Sequence, residues 1–96
     1  MKVIIQSIHF DADKKLETLI QEKVSKLTKF YENIILAEVF LRLDKSHDSA
    51  NKIVEIKLEI SGKNVFAKKQ SKSFEESLES VVNALEKQLK KHKNQK

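Results

Sequence analysis

Cysteine and proline are absent from the 96 residues, and glycine and arginine occur once each, as Gly62 and Arg42. The lack of cysteine excludes a disulfide framework and any thiolate metal site. The lack of proline leaves no residue that would break a helix from within. One glycine cannot build a phosphate-cradling loop, which needs several. No apolar run approaches the roughly 20 residues of a membrane span. The first nine residues hold one lysine and an interrupted apolar run, a poor match to a secretory signal. These absences lead to the expectation of a cytoplasmic protein with no membrane association. A chain this short hides only roughly 60% of the surface that its unfolded form exposes. Function is therefore expected on an outer face, with residues 1–96 forming a single domain.

What the chain does have is positive charge, unevenly placed. The formal net charge is +5. Residues 1–67 carry 11 basic and 10 acidic side chains, whereas residues 68–96 carry 8 basic and 4 acidic ones. The last ten residues, from Lys87, hold five lysines and no acid. Such asymmetry points to a polyanionic partner. It also fits a solvated helix end, because lysines in a last turn complement the helix dipole.

The hydrophobic pattern divides the chain into six elements. Residues 2–8 read as a strand. Asp13 is placed to cap a helix in which Leu16, Leu19, Ile20, Val24, Leu27 and Tyr31 recur at three- and four-residue steps, with Asn33 as its stop. Lys15, Lys26 and Lys29 fall together on a flank of that helix. Residues 34–44 alternate, with Ala37, Val39, Leu41 and Leu43 on one side and Glu38, Phe40, Arg42 and Asp44 on the other. The polar stretch 45–51 reads as a loop. Residues 53–60 alternate again, Ser61-Gly62-Lys63 closes a hairpin, and residues 64–69 form a fourth strand. Ser73 and Glu76 have the spacing of a capping box. The helix they start carries Phe74, Leu78, Val81, Val82, Leu85 and Leu89 on one face.

The order β-α-β-β-β-α predicts an α+β fold. The first two strands should be parallel and joined by a right-handed crossover, and the later strands should form a meander. Both helices, each apolar on a single face, should pack on one side of the four-stranded mixed sheet. The other side then faces water, with Ile4, Phe40 and Phe66 as a small cross-strand cluster. Two helices on one face of a short sheet match double-stranded-RNA-binding domains in outline. Phe40 and Phe66 could stack bases, although the aromatic-rich signature of sheet-type RNA readers is missing.

Catalysis has little support. His9, His47 and His92 lie on separate elements, and none has a metal-ligating neighbour three or four residues away. His47-Asp48 falls in the polar loop, and Glu75-Glu76 has a capping role. The sequence therefore predicts no enzyme activity, no metal and no cofactor.

The lysines say more. Lys87, Lys90, Lys91 and Lys93 stand three and four apart and make a broad basic face beside the Leu85/Leu89 stripe, with Lys68, Lys69 and Lys72 preceding the same helix. Lysine is a mobile point charge, suited to phosphate and poorly suited to reading bases. With one arginine in the chain, recognition of backbone and shape is expected in preference to base sequence.

Three segments resemble one family. Leu85 to Lys93 is similar to its closing pattern of a leucine, a basic residue, Gln-Leu and a basic Lys-His-Lys-type end. Lys23-Val24-Ser25-Lys26-Leu27-Thr28-Lys29-Phe30-Tyr31 resembles its K-x-x-K-L-x-x-Y/F region. The hairpin at Ser61-Gly62-Lys63 with Val65-Phe66-Ala67 fits as well. The family is that of the ribosome hibernation promoting factors, also called ribosome-associated inhibitors or sigma-54 modulation proteins, and the resemblance covers essentially the whole chain. Three departures stand out. Ser7 replaces a usual glycine after strand one, Ser73-Phe74-Glu75-Glu76 replaces a D-x-Y helix start, and Lys87 replaces an arginine.

The resemblance implies a domain that binds rRNA of the small ribosomal subunit in the mRNA and tRNA channel. It would inhibit translation and protect idle ribosomes under stress or in stationary phase. It also implies the short form without a C-terminal ribosome-dimerisation domain, monomeric off the ribosome, with a second hibernation factor as a further partner. The RNA-binding residues expected on charge are Lys87, Lys90, Lys91 and Lys93, then Lys23, Lys26 and Lys29, then Lys68 and Lys69. The competing reading is a protein-interaction module, a modulator of a transcription or translation factor, working through the exposed Ile4/Phe40/Phe66 face.

Overall fold

Strand β1 (Lys2–Ser7) opens the chain and helix α1 (Lys14–Ser25) follows. Strands β2 (Ile34–Leu43), β3 (Lys52–Ile60) and β4 (Lys63–Ser71) lead to helix α2 (Phe74–Asn94). The computed structural model describes residues 1–46 and 49–94. The sheet order is β1-β2-β3-β4, with β1 parallel to β2 and the remaining pairs antiparallel. This is the expected mixed sheet, reached because each strand's alternation leaves one apolar side to cover.

Both helices cover the same side. Ala37, Val39, Leu41, Val54, Ile56 and Leu58 point toward them and are fully buried. Ile20, Val24 and Leu27 come down from the first helical region, and Leu78, Val81, Leu85 and Leu89 from α2, all essentially without solvent contact. Burying a side chain of this size is worth about 1.5–3 kcal/mol. These residues form one cluster, so there is a single core.

Both helices are capped by the expected residues, although only half of the capping box forms. The Leu16 N–H donates to Asp13 Oδ1 at 2.7 Å. The Glu76 N–H donates to Ser73 Oγ at 3.1 Å. The reciprocal bond of a full capping box, in which the Ser73 N–H would donate to the Glu76 carboxylate, does not form, and Glu76 stays exposed. Ser77, fully buried, donates its hydroxyl to the Lys52 carbonyl at 2.7 Å and ties the start of α2 to the start of β3.

Two expectations need correction. The first helix does not run regularly to Asn33. It ends at Ser25 and tightens into a 3-10 helix at Lys26–Lys29, where the Phe30 and Tyr31 N–H groups both donate to the Leu27 carbonyl. Tightening of this kind satisfies end carbonyls that an α-helix would leave open.

The second correction concerns the sheet's outer side. Ile4, Phe40 and Phe66 do not form one cluster, because Phe66 stands apart from the other two. Ile4 pairs with Glu38, Phe40 with Glu55, and Phe66 with Lys57, so charged β3 side chains stand between the two rings. Glu55, 8% exposed, is ion-paired with Arg42, and Lys57 lies 3.9 Å from Glu38. A β-bulge between Ile34 and Leu36 leaves Ile35 56% exposed.

The β3–β4 hairpin turns on two residues, Ser61 and Gly62, and Gly62 has φ of +79°. A Cβ at Gly62 would meet nothing within 4 Å, so only backbone strain opposes substitution there. Gly62→Ala should therefore cost about 1–2 kcal/mol. Gly62→Asn should cost less, because asparagine enters the left-handed region readily. Urea unfolding of the two variants measures the difference.

Candidate nucleic-acid interface

The apolar stripe of α2 faces the core, and this fixes where its lysines go. Lys87, Lys90 and Lys91 span about 100° of the helix circumference on the opposite side, and all three are exposed. The backbone of Lys93 continues the helix, while its side chain lies outside the described residues, as does the His47-Asp48 pair. Lys87 has Asn83, Ala84, Lys90 and Lys91 as its three- and four-residue neighbours. No acid is in helical reach of it.

The 3-10 helix contributes the second row. Side chains three apart eclipse in a 3-10 helix, so Lys26 and Lys29 stand one above the other and are both exposed. Phe30, which follows them, meets Lys90 from α2, whose Nζ lies 4.9 Å from the ring centroid. Tyr31 meets His92, with ring centroids 5.4 Å apart. Two aromatic contacts therefore hold the C-terminal half of α2 against the end of the first helical region. They bring together lysines more than 50 residues apart in sequence.

Between these elements runs a cleft of about 240 Å³. Lys23, Lys26 and Lys29 line one wall, Glu79, Asn83 and Glu86 the other, with Leu27, Phe30 and Val82 as apolar lining. Two ion pairs engage its acids. Lys23 Nζ lies 3.1 Å from Glu79, and Lys90 Nζ lies 3.2 Å from Glu86. A wider depression of about 780 Å³ near the helix starts mixes Lys14 and Lys15 with Asp13, Glu22 and Glu75, and offers no positive excess.

Of the nine expected lysines, the eight with described side chains divide by place. Lys26, Lys29, Lys87 and Lys91 are exposed, with no ion pair among the described residues. Lys23 and Lys90 are on the same face but paired. Lys69 is on the helix side of β4, while Lys68 points to the outer side, opposite Glu55. Adjacent strand positions face opposite ways, which separates these two. The sequence reading missed the parts played by Phe30, Glu79 and Glu86. The four-residue step from Glu86 to Lys90 was a legible signal. The contact between Lys23 and Glu79 depends on how the helices pack. Among the described residues, no group of three or more histidine and carboxylate side chains is placed to hold a metal.

The family model described as "Sigma 54 modulation protein / S30EA ribosomal protein" matches residues 3–96. The chain belongs to this family. Curated relatives include a ribosome hibernation promoting factor of Pseudomonas putida, 26% identical over 97% of this chain and 87% of the relative. One of Azotobacter vinelandii is 26% identical over 97% of this chain and 83% of the relative. The fold of this family member is also that of solved structures. A ribosomal subunit interface protein from Coxiella burnetii superposes with a TM-score of 0.87 at 20% identity, covering 97% of this chain and 98% of that one. The N-terminal domain of Protein Y from Thermus thermophilus gives 0.83 at 17% identity, covering 96% and 99%.

The Lys23–Glu79 pair links the two helices at the surface and should contribute little to stability. A double-mutant cycle with Lys23→Ala and Glu79→Ala is expected to give a coupling of about 0.2–1 kcal/mol. That coupling should fade as salt rises above about 0.15 M.

Proposed function

We propose that this chain is a ribosome hibernation factor that binds rRNA of the small subunit through the lysine face of α2 and the 3-10 helix. Membership of the S30EA family and relatives named for hibernation support the hibernation role. The observation that carries the binding surface is the convergence of Lys26, Lys29, Lys87, Lys90 and Lys91 on the outward side of the helical layer. The opposite side of the sheet carries Glu38, Glu55 and Glu59 against Lys2, Arg42, Lys57 and Lys68, so acids there nearly match the basic residues. A polyanion is attracted more strongly to the helical side than to the sheet's outer side.

Lysine ammonium groups neutralise phosphates and release counterions without reading base edges. A factor of this kind suits structured rRNA, where phosphate positions are set by the fold of the RNA. Seated in the mRNA and tRNA channel, it would exclude both and leave the ribosome idle and protected during stress or stationary phase. Its place of action would be the cytoplasm, on ribosomes. No helix among the described residues is long and apolar enough to cross a membrane.

Sucrose-gradient sedimentation of tagged protein from starved cells tests this reading. The protein is expected with small subunits and whole ribosomes at low salt. A variant with Lys26, Lys29, Lys87 and Lys91 changed to Glu should stay at the top of the gradient. For purified components, log K should fall with log salt by about 0.7–0.9 per phosphate neutralised. A Phe40→Ser/Phe66→Ser variant should still sediment with ribosomes. Wild-type protein that stays at the top at low salt rules the reading out. Loss of binding in the phenylalanine variant alone favours the protein-interaction module on the sheet face.

A further inference from the structure

Two carboxylates sit inside a surface that otherwise attracts polyanions. Glu79 and Glu86 line the cleft between the 3-10 helix and α2, facing Lys23, Lys26 and Lys29. Each is already bonded to a lysine, Glu79 to Lys23 at 3.1 Å and Glu86 to Lys90 at 3.2 Å. A solvated pair of this kind adds little to stability. Its geometry has another consequence. A carboxylate held about 3 Å from an ammonium occupies the place that a phosphate oxygen would take.

We propose that Glu79 and Glu86 are affinity-limiting residues. They act as internal phosphate mimics that RNA backbone must displace from Lys23 and Lys90 before it can enter the cleft. This rests on the rRNA-binding reading above and names two side chains that regulate the same surface.

The arrangement favours displacement over rupture. The ring of Phe30 lies under the Lys90 ammonium, which therefore keeps a partner when Glu86 swings away. Lys26 and Lys29 stand beside the cleft without acids of their own among the described residues, ready to meet the entering strand. The carboxylates stay near the bound phosphate and repel it. Binding is then weaker than the lysine count alone would produce, and release is faster. A factor that must leave the ribosome when growth resumes gains reversibility this way. The two acids also hold Lys23 and Lys90 in place in the free protein, where the ammonium groups of Lys23, Lys26, Lys29 and Lys90 would otherwise repel one another.

The test compares Glu79→Gln and Glu86→Gln with Glu59→Gln. Glu59 is exposed on β3, on the outer side of the sheet, and no ion pair engages it among the described residues. All three changes remove one negative charge and keep side-chain size. Binding to purified small subunits would be measured by filter retention at several salt concentrations, with urea midpoints reported alongside to show that each variant is folded.

Glu79→Gln and Glu86→Gln should each tighten binding about three- to tenfold at low salt. Each should also steepen the salt dependence by about 0.7–0.9. Glu59→Gln should change affinity less than twofold. The gain from Glu86→Gln should disappear in a Lys90→Ala background, since it acts through that lysine. The inference is overturned if the folded cleft variants bind no more tightly than wild type. It is equally overturned if Glu59→Gln gains as much, because the effect is then one of overall charge. If wild-type protein does not bind small subunits at all, the rRNA-binding reading fails together with it.

Discussion

Burial of the single apolar stripe of α2 is the constraint on which the rest depends. Leu78, Val81, Leu85 and Leu89 have one place to go, the helix side of a sheet whose own inward residues need cover. Once they are seated, the rotation of the helix about its axis is settled. Lys87, Lys90 and Lys91 must then face outward, because a helix of 3.6 residues per turn cannot bury one stripe without exposing the other. The lysine face is thus a mechanical result of core packing. It needs no separate device to hold it on the surface.

A dense positive surface carries its own difficulty, since like charges repel and loosen the elements that bear them. Local chemistry offsets this. Glu86 one turn before Lys90, Glu79 across from Lys23, and the ring of Phe30 under the Lys90 ammonium each give a lysine something to lean on. The same contacts bring the 3-10 helix alongside α2. The apolar core carries the stability of the helical layer, and these contacts set how its charge is distributed. In the proposed binding mode, the contacts that engage these lysines in the free protein would compete with an incoming polyanion at the same atoms.

The sheet's outer side shows the opposite balance. Arg42 with Glu55 and Lys57 with Glu38 neutralise each other across strands, and the exposed Phe66 stands apart from Phe40. A row of alternating charge offers neither a polyanion nor a large apolar partner a continuous contact. Among the exposed apolar residues, Ile35 owes its position to a bulge and Phe66 to its place on an edge strand.

Element order, sheet topology, helix caps and core were all legible in the sequence. Period-two and period-3.6 patterns reflect burial of one face, and a cap is a contact between residues three apart. The charge asymmetry and the family resemblance were legible for the same reason, being properties of residues near one another in the chain. Tertiary structure alone decided which lysines meet. The pairing of Lys23 with Glu79 and the placement of Lys90 over Phe30 depend on how the first helical region and α2 pack. Strand register likewise decided that Lys57 and Glu55 interrupt the aromatic residues of the outer side. Local pattern determines which face of an element is buried. Contact between two faces far apart in sequence is determined only by the packing that brings them together.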